Sequence, residues 1–486
     1  MATQEPLNIV FIALSVSGQL NVHLASIEHL LSLNEEQSPP LHVHLLSFEP
    51  AAKHGTRLST SANPRHTLTF HSLGELTLFT EISHNGLIDR HGPAQLLKRG
   101  GLKSYRFLAE LFGFNPERYV AVYENILGVL QAIKPKVDVA VVDLTMPIGM
   151  DACMVAGIHW GLLCPNSGLE LAKHDQPLLR GFWKLPAPYS GIPYPVPLHL
   201  IPYNIGLNFA FLRTLITHPR IKALEERRSK AGIPGKLLDK PLKELPFMIC
   251  ASVKEMEFPH VPGENVIYPG PILLPVPPLS SQQYPDLARF LDRKRTIVIN
   301  MGSNFWYTSS DVENVAEAVV RARHNLPEKT TFQVLWKLNG KKDYEELLRA
   351  KLGEAGDDVH TEEWLVPPAL AILQHPNVAA FVNHGGANSV HEAAYAGVPQ
   401  IILPQWLDLY DYAVRVEWLG HGIYANKGYP AQIDAAQLAD AFVRVLTSEG
   451  DELMKKSVEI SEACKRGGGV HTVAETILKA AGVNRV

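Results

Sequence analysis

The sequence predicts two successive doubly wound α/β domains, and three observations carry that reading. Near-continuous apolar runs such as Leu7–Leu14 (LNIVFIAL) recur along the chain, as strands buried on both faces do. A glycine-bearing turn and a helical pattern follow, which is the βαβ grammar of a parallel sheet. That grammar breaks at a proline-rich run, Tyr268–Pro278, and restarts at Thr296.

The first strand leads through SVSG into a helix with Leu20, Leu24, Ile27 and Leu31 on one face, and Ser17 is placed to cap it. A second strand is predicted at Leu41–Phe48. Further strands are predicted at Thr67–Leu73, Val137–Asp143, Ile158–Cys164 and Phe247–Ala251. Residues 183–203 are dense in proline and aromatics and read as a long ordered loop. In the second half, Ser310 and Glu313 form a capping-box pattern ahead of a helix. Strands are predicted at Thr296–Met301, Phe332–Trp336, Val378–Asn383 and Gln400–Leu403. Asp434 with Gln437, and Thr472 with Glu475, are predicted helix caps.

Composition narrows the function. The chain has 486 residues, 46% of them apolar and 19% charged, a globular and not a disordered balance. A net charge of −4 argues against nucleic acid or an acidic membrane as the main partner. Four scattered cysteines, no secretory pattern at the N-terminus and no long apolar stretch make a cytoplasmic protein without a membrane span the expectation.

The chemistry is concentrated in Val378–Pro404 (VAAFVNHGGANSVHEAAYAGVPQIILP). A buried strand ends at Asn383, HGGANS makes the turn, and a short helix stops at Gly397. The helix N-terminus therefore sits at the carboxyl end of a parallel strand, where open sheets bind ligands. Gly385 and Gly386 let an anion approach the backbone, and the free N–H groups and helix dipole favour phosphate. His384, Asn388 and Ser389 add donors, while Glu392 is within reach of ribose hydroxyls. The pattern is that of a diphosphate site without a metal.

From Trp364 to Gly422 the sequence resembles the nucleotide-sugar box of family 1 glycosyltransferases, the UDP-sugar-dependent enzymes of GT-B fold. The order HGGxNS…E…GVP…P…D…A…G carries the likeness. Met301–Ser303 (MGS) and RGGG before the last helix resemble the family's turns, and DLYDYAVRVEWLG is similar to a fungal branch. The resemblance implies an acceptor domain over 1–270, a linker over 271–285, a UDP-sugar domain over 286–460, and a C-terminal helix over 461–486 returning to the first domain. It implies inverting transfer from a UDP-sugar, with UDP-glucose first among the donors, to a hydroxyl of a small apolar acceptor such as a phenol, polyketide or terpenoid. No cofactor and no metal are implied. Competing readings are a UDP-sugar-binding pseudoenzyme and a nucleotide-sugar epimerase or hydrolase on the same fold.

By match, Gly18, Gly302, Ser303, His384, Gly386, Asn388 and Ser389 surround the diphosphate, Glu392 takes the ribose and Asp408 the sugar. Three positions depart from the pattern. Gln19 stands where the family has its catalytic histidine, although the supporting aspartate matches Asp143. A glutamine amide cannot take a proton near neutral pH. His23, one turn on, is read as an ordinary helix histidine or as a substitute base. Val366 stands at the family's uracil-stacking tryptophan with Trp364 two residues earlier, so either Trp364 stacks or Val366 gives backbone contacts only. Leu409 replaces the glutamine that follows the sugar-binding aspartate.

The aromatics Phe182 and Trp183 line an acceptor pocket or bury a long loop. Phe79, His84 and Met146 are further acceptor candidates. His42 and His44 share a strand face but lack a third metal ligand. The tyrosines and Asp411 around Asp408 read as a solvated helix face.

Overall fold

The computed structural model describes residues 5–75, 90–428 and 431–483; Phe79 and His84 lie outside them. Two all-parallel sheets form the molecule. The first contains β1 (Leu7–Ile12), β2 (Leu41–Ser47), β3 (Thr67–Ser72), β4 (Val139–Asp143), β5 (Trp160–Cys164), β6 (Met248–Cys250) and β7 (Val266–Ile267), in the order β3-β2-β1-β4-β5-β6-β7. The second contains β8 (Thr296–Ile299), β9 (Gln333–Lys337), β10 (Val359–Glu362), β11 (Val378–Asn383), β12 (Gln400–Ile402) and β13 (Gly422–Tyr424), in the order β10-β9-β8-β11-β12-β13. Strands β1, β4, β5, β8, β9 and β11 are buried along almost their whole length, as their apolar runs require.

Each sheet reverses its winding once, between β1 and β4 in the first and between β8 and β11 in the second. A crevice opens at such a switch point beyond the carboxyl ends of the strands. The Ser15–Gly18 turn, Asp143, Gly302 and His384 all lie at these two ends. The halves meet there: Asn388 Nδ2 donates to the Ser17 carbonyl at 3.2 Å.

Several local expectations are corrected. Val16, not Ser17, occupies the cap of the Ser17–Ser32 helix, and no side chain caps it. The capping box at the second domain's first helix is Thr308 with Asp311, two residues before the predicted Ser310 and Glu313. Asp434 does cap its helix, accepting from the Gln437 N–H at 2.9 Å. Thr472 lies inside the last helix, Val470–Ala480, and donates back to the Gly467 carbonyl at 2.8 Å. The proline-rich stretch is shorter as a loop than predicted, because a helix starts at Ile201 with Pro202 in its first turn, where a missing N–H costs nothing.

The Ser448–Arg466 helix crosses residue 460 and stays with the second domain, where Ser461 Oγ donates to the Tyr395 carbonyl at 2.6 Å. The Val470–Ala480 helix returns to the first domain. Its Val473, Ala474, Ile477 and Leu478 share one core with Leu20, Leu24 and Ile27.

Candidate active site

Gly302 and Gly385 have φ of +86° and +90°, the left-handed region that glycine enters without strain. A Cβ on Gly302 would come within 2.6 Å of His384 Cε1, and one on Gly386 within 2.6 Å of both Cε1 and Nε2 of the same ring. The imidazole is thus held between two bare backbone turns, one from each side of the switch point. Its Nδ1 is buried without a hydrogen-bond partner among the described residues. Burial first, and then the nearby Lys337 ammonium, lower its pKa to about 4, so the ring is neutral at pH 7.

The Ala387–Ala396 helix begins directly behind Gly386 and has no side-chain cap. Its first N–H groups therefore remain available to an anion. Asn388 and Ser389 sit in that first turn, half-buried, and Ser303 lies exposed in the turn after β8. Glu392 has no hydrogen-bond partner among the described residues, and burial pushes its carboxyl up to about 7. Such a group is ready to accept from hydroxyls brought by a ligand.

Lys337, at the carboxyl end of β9, was not singled out by sequence reasoning. Its Nζ donates to the Gly302 carbonyl at 2.9 Å and lies 3.6 Å from the Trp364 ring centroid. Burial depresses it to about 8. The only signal in the sequence was a cation ending an otherwise apolar strand, QVLWK. Trp364 is 57% exposed and stands over this cation at the rim, while Val366 is also exposed and makes no ring contact. The aromatic beside the site is therefore Trp364.

Asp143 is the largest departure from expectation. Its Oδ2 accepts from His23 Nε2 at 3.2 Å, and its Oδ1 accepts from the Thr145 N–H at 2.7 Å and from the Thr145 hydroxyl. Both His23 and Asp143 are fully buried, and His23 Nδ1 has no partner among the described residues. The aspartate thus has its imidazole, one turn further into the helix than the motif position. Gln19 is half-buried near the helix start, and its side-chain amide has no hydrogen bond among the described residues. A Cβ on Gly18 would meet open space.

Asp408 is half-buried, and burial raises its carboxyl to about 6. Asp411 is no solvated surface group. Both its oxygens accept from the Tyr189 N–H, at 3.0 Å each, so it ties the two domains together, and burial lifts it to about 7. Leu409 is 3% exposed and packs in the second domain's core with Leu403, Trp406 and Leu407, so its side chain does not face the cleft.

Met146 is likewise fully buried, in the first domain's core, and is not presented to an acceptor. Phe182 packs against Phe209 with tilted rings whose centroids are 5.8 Å apart, and Trp183 Nε1 donates to the Leu178 carbonyl at 2.9 Å. His42 and His44 are joined by His71, whose Nε2 lies 3.0 Å from His44 Nδ1. No group of three or more His, Cys, Asp or Glu that could hold a metal occurs among the described residues.

Arg90 ties the first domain to the second. It pairs bidentately with Asp311, at 2.7 and 3.0 Å, and donates to Gln405 Oε1 at 2.8 Å and to the Ala431 carbonyl at 2.6 Å. Its guanidinium also lies over the Phe305 ring at 4.8 Å. One side chain thereby holds the turn after β8 and the loop after β12.

Comparison with known proteins agrees with this geometry. Residues 234–459 match the family described as UDP-glucoronosyl and UDP-glucosyl transferase. The glycosyltransferase sdnJ of Sordaria araneosa is 31% identical over 97% of this chain and 97% of its own length. A UDP-glucosyltransferase from Polygonum tinctorium capable of glucosylating indoxyl superposes with a TM-score of 0.64 at 17% identity, covering 98% of this chain and all of the other. A further chain, solved in complex with UDP, superposes with a TM-score of 0.61 at 15% identity, covering 99% and 100%. Among the described residues no helix is long and apolar enough to cross a membrane.

Proposed function

Because this chain belongs to the family 1 UDP-sugar glycosyltransferases, we propose that it transfers a hexose, glucose first among the candidates, with inversion and without a metal to a hydroxyl of a small apolar acceptor. The acceptor oxygen attacks the sugar C1, the bond from C1 to the diphosphate oxygen breaks, UDP leaves with the electron pair, and the acceptor's proton passes to solvent water. The observation that supports this reading is the pair of switch points facing one another. Asn388 and Ser17 join them, and His384 is cradled by Gly302 and Gly386. Departing negative charge would be met by the helix N-terminus, the neutral His384 N–H and the Lys337 ammonium. Glu392 would receive the ribose and Trp364 the uracil.

The transfer step has no histidine at the motif position. Gln19 cannot take the acceptor proton, and the buried His23 already holds Asp143. Acceptors that ionise readily should therefore be used best. The experiment is a mass-detected screen of UDP-sugars against phenols and alcohols, comparing the chain as it stands with Gln19→His and Asp143→Asn. A positioned base contributes about 10²–10⁴-fold, and Gln19→His should raise alcohol rates more than phenol rates. Product from no UDP-sugar and acceptor pair, or UDP release without acceptor, would refute the transfer reading. Equal alcohol rates for the chain and Gln19→His would refute the missing base and turn attention to His23.

A further inference from the structure

A net charge of −4 conceals one strongly asymmetric face. From Gln176 to Leu224 the chain has no aspartate or glutamate, yet it carries five lysines and arginines. From His91 to Ala109 it again has no acid, and four cations. The fold brings these two stretches together. The Leu96 N–H donates to the Tyr203 hydroxyl oxygen at 2.8 Å, and Gly206 approaches Leu96 so closely that a Cβ would lie 2.8 Å from its Cδ1. Beside them, an open groove of about 470 Å³ is lined by Arg180, Trp183, Lys184, Leu198 and Ile201.

The apolar side chains here face outward. Leu198 is 86% exposed, Leu178 78%, Ile216 70% and Phe209 62%. Phe209, Arg213 and Ile216 fall four and three residues apart on the Ile201–Thr217 helix, so they share one outward face. Leu178 and Leu179 sit in the short turn Pro177–Leu179 that leads into the Arg180–Trp183 helix, with φ of 56° and 55°, a conformation costly for a leucine, and both are exposed. Large apolar side chains exposed in this number beside an open groove mark an interaction surface and are not ordinary solvent-facing protein.

Charge decides what covers it. Among the described residues Lys98, Arg99, Arg180, Lys184 and Arg213 have no carboxylate partner, and the nearby Asp175 is matched by Lys243 at 2.9 Å. A second copy of this face would bring like charges together. An anionic lipid surface satisfies both features, since its headgroups meet the cations and its acyl boundary takes the leucines and Phe209. We propose that this face docks the first domain peripherally on an anionic bilayer. The inference goes beyond the transfer reading and stands or falls separately from it.

The test is co-sedimentation of the full chain with phosphatidylcholine vesicles, with and without phosphatidylserine. The chain should pellet with the anionic vesicles, bind neutral ones far less, and lose most binding as salt shortens the screening length. Each headgroup contact removed should weaken binding roughly fivefold, so Arg180→Glu with Lys184→Glu should lower it by an order of magnitude or more. Leu178→Ser with Leu179→Ser should weaken it as well. Arg213→Glu, on an exposed helix face, provides a second charge variant should the loop variants fail to fold. UDP affinity and thermal midpoint should be unchanged in all of them, because these residues lie outside the cleft. No pelleting with anionic vesicles, binding indifferent to charge reversal, or a dimer in sedimentation velocity that buries this face would overturn the proposal.

Discussion

Replacing Lys337 with methionine tests the donor site at its least expected residue. Methionine keeps the length and apolar stem of the side chain and removes only the ammonium, so the Trp364 contact is retained as packing. Nζ donates to the Gly302 carbonyl at 2.9 Å and sits beside the ring of His384, at the turn where the diphosphate is assigned. A hydrogen bond to a charged group contributes about 1.5–3 kcal/mol, so Lys337→Met should weaken UDP roughly ten- to a hundredfold and uridine far less. A pH signature follows as well. Burial holds the free ammonium near 8, and a bound diphosphate would raise it. The protonated form binds, so affinity is fully present below about 8 and falls by up to about tenfold per pH unit above it, until the bound-state pKa is passed. His384, near 4, is neutral throughout that window and adds no slope. Calorimetric titration with UDP and uridine at several pH values reads both effects. An affinity for UDP that stays flat from neutral to alkaline pH, or equal losses for UDP and uridine in Lys337→Met, would refute the assignment.

Other consequences can be measured with the same assay. His384→Ala should weaken UDP by roughly tenfold or more while sparing uridine, whereas Glu392→Ala should weaken both alike, since the ribose is common to them; the reverse pattern would exchange their roles. Leu409→Gln should leave the donor profile unchanged and lower stability by about 1–3 kcal/mol in chemical denaturation, because an amide would be buried in an apolar core. A shift toward UDP-glucose would show that position 409 does reach the sugar. Arg90→Ala should strip four hydrogen bonds from the domain junction and raise the donor KM, with hydrolysis of the UDP-sugar rising relative to transfer as water enters. An unchanged ratio of hydrolysis to transfer would confine Arg90 to a structural role.

How much of this could be read from residues alone differs by element and for physical reasons. Strands β1 and β11 announce themselves because both faces are buried and the apolar run is unbroken. β10 does not, because VHTE lies at the sheet edge and is half-buried and polar. β7 and β13 do not either, being edge strands of only two and three residues. The HGGANS turn was legible because glycines at a strand end constrain the backbone before any side chain is considered. Lys337 and Arg90 were not, since a lone cation acquires meaning only from what the fold places beside it. Asp411 read as a solvated residue because its partner, the Tyr189 N–H, lies more than two hundred residues away.

The Gln19 problem shows the same limit most sharply. A motif compares positions along the chain, and by position Asp143 lacks its histidine. A helix compares positions in space, and four residues advance about 6 Å, slightly more than one turn. His23 is therefore on the same side of the helix as Gln19 but deeper, and Asp143 reaches it at 3.2 Å. The aspartate is not an abandoned half of a dyad, and its presence alone does not show that the chain retains a base. A new imidazole at position 19 would approach a carboxylate already holding His23 on one oxygen and Thr145 on the other. A carboxylate accepts more than two hydrogen bonds, so geometry does not forbid a shared aspartate. The gain from Gln19→His should nevertheless fall toward the lower end of the range for a positioned base, about 10²-fold, because Asp143 would orient two imidazoles. It should grow when His23 is replaced by leucine in the same background. If His23→Leu alone abolishes transfer while the fold and UDP binding survive, the buried histidine is the base.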